Sequence, residues 1–434
     1  MKRLTGSVQQ IAQELRREQL LRLEQANDVE KQVQAILEKV RQEGDESLIA
    51  YTNEFDGVTL TQLQVAEETI AEAFDRIEPA VLQALEAAKQ NILSYHVHQV
   101  EEGFADFPSE GVIRGQRVLP LERVAIYVPG GTAAYPSSVL MNALPAKLAG
   151  VEEIIMLTPP PKNGVFNAAI LVAAKLAGVD CVYQVGGAQS IAAAAYGTKS
   201  IPRVDKIVGP GNQYVATAKK QVFGQVGIDM IAGPSEVGVI ADATANPVFV
   251  AADLLSQAEH DRLARAILVT TSSELADAVE EEVERQLREL PREAIARASI
   301  EANGRIILAA SFDEMFDLMN EVAPEHLEIE VADALHYLGK VKHAGSVFLG
   351  RYTSEPIGDY FSGTNHVLPT SGTARFSSPL GVYDFVKRMQ YTSYSQAATL
   401  AAAPHIKALA YKEALQGHAK AIEKREEEYE NSKN

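Results

Sequence analysis

The sequence predicts an α/β protein built from two doubly wound lobes. Three observations lead there. Short apolar runs alternate with helix-length stretches from Arg123 onward, glycine-rich turns follow two of those runs, and 434 residues exceed what one hydrophobic core usually holds. Strands separated by helices pair in parallel, because a parallel neighbour needs a crossover.

The elements follow in chain order. Val29, Val33, Ile36, Leu37 and Val40 recur at three- and four-residue spacing and Gly44 supplies a stop, so this region reads as helix. Residues 124–128 read as a strand ended by Pro129-Gly130-Gly131-Thr132, and 137–149 as a helix kinked at Pro145. Strand 154–157, helix 166–177 and strand 181–185 come next. Strand 206–208 then enters Gly209-Pro210-Gly211-Asn212 ahead of helix 214–222. After Pro234 the alternation resumes with strand 237–241, helix 249–257, strand 267–270, a charged helix 274–290, and strands 305–308, 327–331 and 346–349. Lobe boundaries fall near 127 and 234. The stretch from about 381 reads as helix and ends in KREEEYENSKN, whose charges call for solvent.

Composition narrows the function. With 46% hydrophobic and 23% charged residues the chain is an ordinary globular protein. A formal charge of −18 argues against a nucleic-acid partner, since phosphate backbones need clustered Lys and Arg. Backbone N–H groups at helix ends can still take an anionic dinucleotide. The opening MKRLTGSVQQIAQELRREQ has no apolar core, and no run of about 18 apolar residues follows anywhere, so neither a secretory signal nor a membrane span is expected. A cytoplasmic protein is the expectation. The single Cys181 rules out an intrachain disulfide and a multi-thiolate metal site. It opens a buried strand and is expected to pack rather than to act as a nucleophile.

Chemistry gathers at a few places. Each glycine turn follows a strand and precedes a helix, which lets backbone approach a ligand or merely makes a tight turn; neither fits G-x-G-x-x-G. Among nine histidines, His260 lies one helical turn from Gln257, His418 little more than a turn from Glu413, and His326 directly after Pro324-Glu325. A carboxylate beside an imidazole can exchange protons near neutral pH, and Pro324 allows the turn that would aim both at one site. Residues 355–385 are rich in Gly, Ser, Thr and Pro yet carry Asp359, Asn365, His366 and Arg375, with Tyr360, Phe361, Phe376 and Phe385 to pack them. Such a segment reads as a functional loop. By residue type, Gln257, His260 and His418 with Asp359 make a metal set suited to zinc or a neighbouring divalent ion. Spacing alone joins only the first two.

Five stretches resemble the histidinol dehydrogenase family in the right order: VAIYVPGGTAAYPSSVLMNALPAKLAGV, VGPGNQYVATAKKQVFGQVGIDMIAGPSEVGVIAD, DLLSQAEHD, PEHLEI and GTNHVLPTSGTARFSSPLGVYDF. The resemblance implies two incomplete Rossmann-like lobes with N-terminal and C-terminal helical arms in an intertwined homodimer. On that basis residues 1–20 form an N-terminal arm, 21–126 with 235–380 a zinc-bearing catalytic lobe, 127–234 an NAD lobe, and 381–434 an arm crossing to the partner. It implies one zinc per subunit on Gln257, His260, Asp359 and His418, with His418 donated by the other subunit. Glu325 and His326 would be the proton-transfer pair. Ser235, Gln257, His260, His326, Asp359, Glu413 and His418 would meet L-histidinol, and Tyr127, Gln189 and Asn212 would meet NAD. The implied reaction oxidises L-histidinol through its aldehyde to L-histidine with two NAD: His326 takes the alcohol proton, and Glu325 activates water for the aldehyde step. The chain departs from the family at Glu413-Ala414, where Glu-Gly is commoner. A related zinc-dependent NAD dehydrogenase for another small polar alcohol is the alternative. A zinc hydrolase, using Glu325 on water, would leave the twin glycine turns without a purpose.

Overall fold

The computed structural model describes residues 1–23, 27–130, 135–231 and 233–432, with side chains given outside 19–28. Contacts divide the chain into two compact units, residues 1–100 with 121–385 and residues 101–120 with 386–434.

The larger unit contains two sheets, parallel throughout. One has five strands in the order Cys181–Gln184, Glu153–Thr158, Arg123–Tyr127, Lys206–Val208, Gly227–Ile228. The other has six, in the order Lys2–Leu4, Arg305–Leu308, Arg265–Thr270, Glu236–Ala241, His326–Glu330, Ser346–Leu349. Numbered within its own stretch of chain, each runs 3-2-1-4-5, with Lys2–Leu4 added beyond strand 3 in the larger sheet.

Strand alternation explains why both sheets are buried on two faces. Val124, Ile126 and Val128 enter one core while Ala125 and Tyr127 enter the opposite one. Residues Val237, Val239, Ala266 and Leu268 face one side of the second sheet, and Ile240, Ile267, Val269, Leu327 and Ile329 face the other. On His326–Glu330, Leu327 and Ile329 fill that latter core, so His326, Glu328 and Glu330 project to the opposite face. All three are nonetheless buried. A buried polar strand face is unusual enough to mark function.

The packing divides the chain differently from the sequence boundaries. The helix Asn27–Glu43 lays Val33, Ile36, Leu37 and Val40 on the five-stranded sheet, and Ile70, Leu85 and Ile92 cover that sheet's other face. The family resemblance groups these residues with 235–380; an apolar stripe shows that a face is covered but not by which sheet. Residues 1–20 do not stand apart either: Lys2–Leu4 is a strand, and Leu4, Ile11 and Leu15 join the core of the six-stranded sheet.

In the second unit Phe104–Ser109, Val112–Pro120 and Val386–Tyr394 form an antiparallel sheet, followed by the helices Gln396–Lys412 and Gln416–Asn431. The expectation of helix from about 381 is thus corrected. Over Val386–Tyr394, Tyr391, Thr392 and Tyr394 favour an extended chain, and all nine residues pair with Val112–Pro120. Among the described residues, no helix is long and apolar enough to cross a membrane.

Candidate active site

The main chain of Glu236 organises the site. Its N–H donates to Glu325 Oε2 at 2.9 Å, and its carbonyl lies 3.2 Å from His326 Nδ1. A carbonyl only accepts, so Nδ1 carries the proton and Nε2 keeps its lone pair. That Nε2 is buried and has no hydrogen-bond partner, and it lies 3.9 Å from Asp359 Oδ1. Glu325 Oε2 is 3.8 Å from His326 Nδ1, so the pair are neighbours held by the main chain of one residue and not bonded to each other. The Glu236 side chain is balanced by Arg265 at 3.0 Å. Register puts His326 opposite Val237, beside Glu236, and His326 opens its strand with Glu325 just before it.

Burial sets the protonation states. It drives the His326 ring down to about 3, so the imidazole is neutral, and it pushes the Glu325 carboxyl well above its usual range. Asp359 and Glu355 lie on the short helix Glu355–Tyr360. Burial raises both carboxyls, and Asp359 pushes Glu355 further. Ligand atoms of His326, Glu355 and Asp359 lie within 4.8 Å of one another, close enough to hold a cation.

Gln257 lies in the last turn of the helix Pro247–Ala258, and His260 follows one turn on, its N–H bonded to the Gln257 carbonyl at 3.2 Å. The Gln257 side chain is fully buried with neither amide atom partnered. Leaving such a group unbonded costs about 1–3 kcal/mol, so a ligand to that amide is called for. His260 is exposed. Ser235 is half-buried, its carbonyl accepting from Arg265 N at 3.0 Å. Glu413 and His418 are exposed residues of the second unit, either side of the start of the helix Gln416–Asn431.

The second predicted site is a cavity of about 1360 Å³ at the carboxyl ends of Arg123–Tyr127 and its neighbours, lined by Tyr127, Gly130, Gln189 and Asn212 together with Asp56 and Tyr214. Gly131 and Thr132 of the first glycine turn lie outside the described residues. Tyr127 is buried, which pushes its phenol up to about 12, and its oxygen accepts from Gly187 N at 3.2 Å. Gln189 is buried with Oε1 unpartnered. Asn212 caps the helix Gln213–Val222, accepting from Tyr214 N at 3.0 Å and Val215 N at 3.2 Å. The second glycine turn is braced from below. Gly209 N donates to Asp229 at 2.7 Å, Lys219 donates to the Gly209 carbonyl at 2.9 Å, and Lys219 pairs with Asp229 in the interior. Gly209 has φ +110°, and a Cβ there would meet the Tyr127 carbonyl oxygen at 2.2 Å, so only glycine fits.

A family model described as histidinol dehydrogenase matches residues 21–426. The histidinol dehydrogenase of Streptococcus mutans is 66% identical over 425 residues, covering 98% of this chain and 99% of its own. That of Listeria monocytogenes is 58% identical over 428 residues, covering 99% and 100%. This chain belongs to the histidinol dehydrogenase family. A crystal structure of the histidinol dehydrogenase from Elizabethkingia anophelis matches it with a TM-score of 0.92 at 38% identity, over 99% of both chains. The mixed α/β architecture with parallel sheets is therefore that of a histidinol dehydrogenase.

Within this histidinol dehydrogenase fold, the larger unit brings Glu325, His326 and Asp359 together, and gathers Tyr127, Gln189 and Asn212 on one cavity. The sequence reading missed Glu236, whose role lies in its backbone, and Glu355, whose spacing from Asp359 on a helix was a usable signal. It also missed a second buried acidic group, Asp253 with Glu328 and Glu330. Burial raises all three carboxyls, Glu330 to about 8. Because the folded value lies above the ordinary 4.5, the stability this group contributes is complete at low pH and is lost as pH climbs towards about 8. Glu330→Gln should therefore flatten the fall of the urea midpoint between pH 5 and 8. Parallel slopes for variant and parent would remove Glu330 from this account.

Proposed function

We propose that the chain oxidises L-histidinol through L-histidinal to L-histidine, with two NAD and one zinc per subunit, in a cytoplasmic biosynthetic role. The observation that carries this is the unpartnered Nε2 lone pair of His326 beside Asp359, with Glu325 held by the same residue's main chain at Glu236. The donor set fits zinc: an orphaned Gln257 amide, the His260 imidazole and the Asp359 carboxylate need a cation more than they need each other. His418 would complete the set from the partner subunit, with Glu413 and Ser235 meeting the substrate. Exposed Phe104, Phe107, Tyr394 and Leu409 on the second unit support a homodimer that covers them. The two sheets of order 3-2-1-4-5 support the reading as incomplete Rossmann-like halves. Tyr127, Gln189 and Asn212 would hold NAD, with Gln189 Oε1 awaiting a donor.

When bound, zinc supplies a fixed point for the imidazole and amine of the substrate, and NAD supplies the hydride acceptor. His326 Nε2 takes the alcohol proton as hydride leaves the carbinol carbon. Glu325, its carboxyl raised above the usual range by burial, takes a proton from the water that adds to the aldehyde, while His326 returns its proton to the carbonyl oxygen and is again free to act as a base. His326 then takes a hydroxyl proton of the hydrate as the second hydride leaves. Holding the aldehyde throughout keeps a reactive intermediate from escaping.

Counting NADH per histidinol consumed tests the reading. Zinc-loaded protein should give two. Stripping with a chelator should abolish turnover and zinc should restore it. A ratio of one with free aldehyde accumulating, or full activity without metal, contradicts it.

A further inference from the structure

Two imidazoles flank Asp359. His366 Nδ1 and His326 Nε2 each lie 3.9 Å from Asp359 Oδ1. Their chemistry differs. His326 keeps a free lone pair, whereas His366 has neither nitrogen to spare. Its Nδ1 donates to the Asp359 carbonyl at 3.2 Å, which leaves Nε2 to accept from the Ser138 hydroxyl at 3.1 Å. A ring engaged at both nitrogens can neither take the substrate proton nor ligate a cation. It can hold something in place.

What it holds is the last turn of the helix Glu355–Tyr360, where the Asp359 carbonyl has no following turn to bond it. What it holds onto is Ser138, 3% exposed in the first turn of the helix Pro136–Ala149, which leaves the first glycine turn of the cofactor cavity. Adjoining contacts pin the same loop. Asn365 donates to the Met141 carbonyl at 2.8 Å, Asn91 donates to the Phe361 carbonyl at 2.6 Å, and a Cβ at Gly363 would meet the Asn91 carbonyl oxygen at 2.3 Å. Asp359 is thus carried by the six-stranded half but fastened to helices of the five-stranded half.

We propose that Ser138 and His366 are positioning residues that fix Asp359 in its ligating place by tying it to the helix leaving the cofactor turn. The proposal rests on Asp359 being a zinc ligand. Neighbours that orient metal ligands typically change metal affinity or activity by about 10–100-fold when removed.

The test uses full-length holoenzyme and four variants: Ser138→Ala, Ser138→Thr, His366→Phe and His366→Asn. Zinc affinity is read by competition with a chromogenic chelator, alongside kcat and the KM for NAD. Ser138→Ala and His366→Phe should hold zinc about 10–100-fold more weakly and lose kcat by a similar factor, with the KM for NAD moving by less than about threefold. Ser138→Thr keeps the hydroxyl, and His366→Asn keeps a donor to the carbonyl; both should retain most of the zinc affinity. Undiminished zinc affinity in Ser138→Ala overturns the proposal, even should the phenylalanine variant fail to fold. So does a raised KM for NAD at unchanged zinc affinity, which would assign the pair to the cofactor turn. Parent protein that takes up no zinc removes the ligand assignment itself, a result distinct from equal uptake by parent and variants.

Discussion

His326→Gln should lower kcat for histidinol oxidation by about 10²–10⁴-fold, the range typical of a lost general base. The ring carries a lone pair that is buried, unpartnered and fixed in direction by its other nitrogen. Glutamine fills similar space and can still donate to the Glu236 carbonyl, but it offers no basic nitrogen. Both hydride steps should suffer together, because each releases a proton to the same atom. The ring is already neutral far below pH 6, since burial brings it down to about 3, so protonation of His326 should not limit the parent enzyme in ordinary buffers. Steady-state NADH formation with histidinol and with histidinal checks this. A loss under tenfold on both substrates would take the base role away from His326.

Glu325→Gln should instead separate the two steps. The amide can keep the hydrogen bond from Glu236 N–H while losing the ability to accept a proton from water. Aldehyde conversion should fall by about 10²–10⁴-fold while the first hydride transfer is largely retained. In a single turnover the yield should drop from two NADH per histidinol towards one. Rapid-quench or stopped-flow absorbance on the two substrates separates the phases. Unchanged turnover of the aldehyde would end the assignment.

The strands and helices were legible where their pattern is local. The alternation from Arg123 to Leu349 gives the strands of both sheets to within about two residues, apart from Lys2–Leu4 and Gly227–Ile228, and residues of both glycine turns line the large cavity. Gln257 with His260, and Glu325 with His326, were readable as sequence neighbours. What could not be read depends on which surface meets which. The stripe on Asn27–Glu43 looks the same whichever sheet it covers, and Val386–Tyr394 gains its extended form from a partner strand more than 260 residues earlier. Ser138 and His366 are 228 positions apart, and no composition signal links them. Glu236 acts through its peptide, which every residue but proline possesses in full, so its side-chain identity announces nothing.

A side-chain clamp can be lost by one codon change, whereas the amide and carbonyl of position 236 survive almost any substitution there. The spacing of proton donor and acceptor groups is inherited from the ladder between two adjacent strands, and ladders shift only by whole residues. Drift at neighbouring positions can therefore reshape the pocket for a different alcohol without disturbing the distance on which proton transfer depends. Redesign of substrate preference would do well to leave this stretch of ladder intact and work on the walls around it.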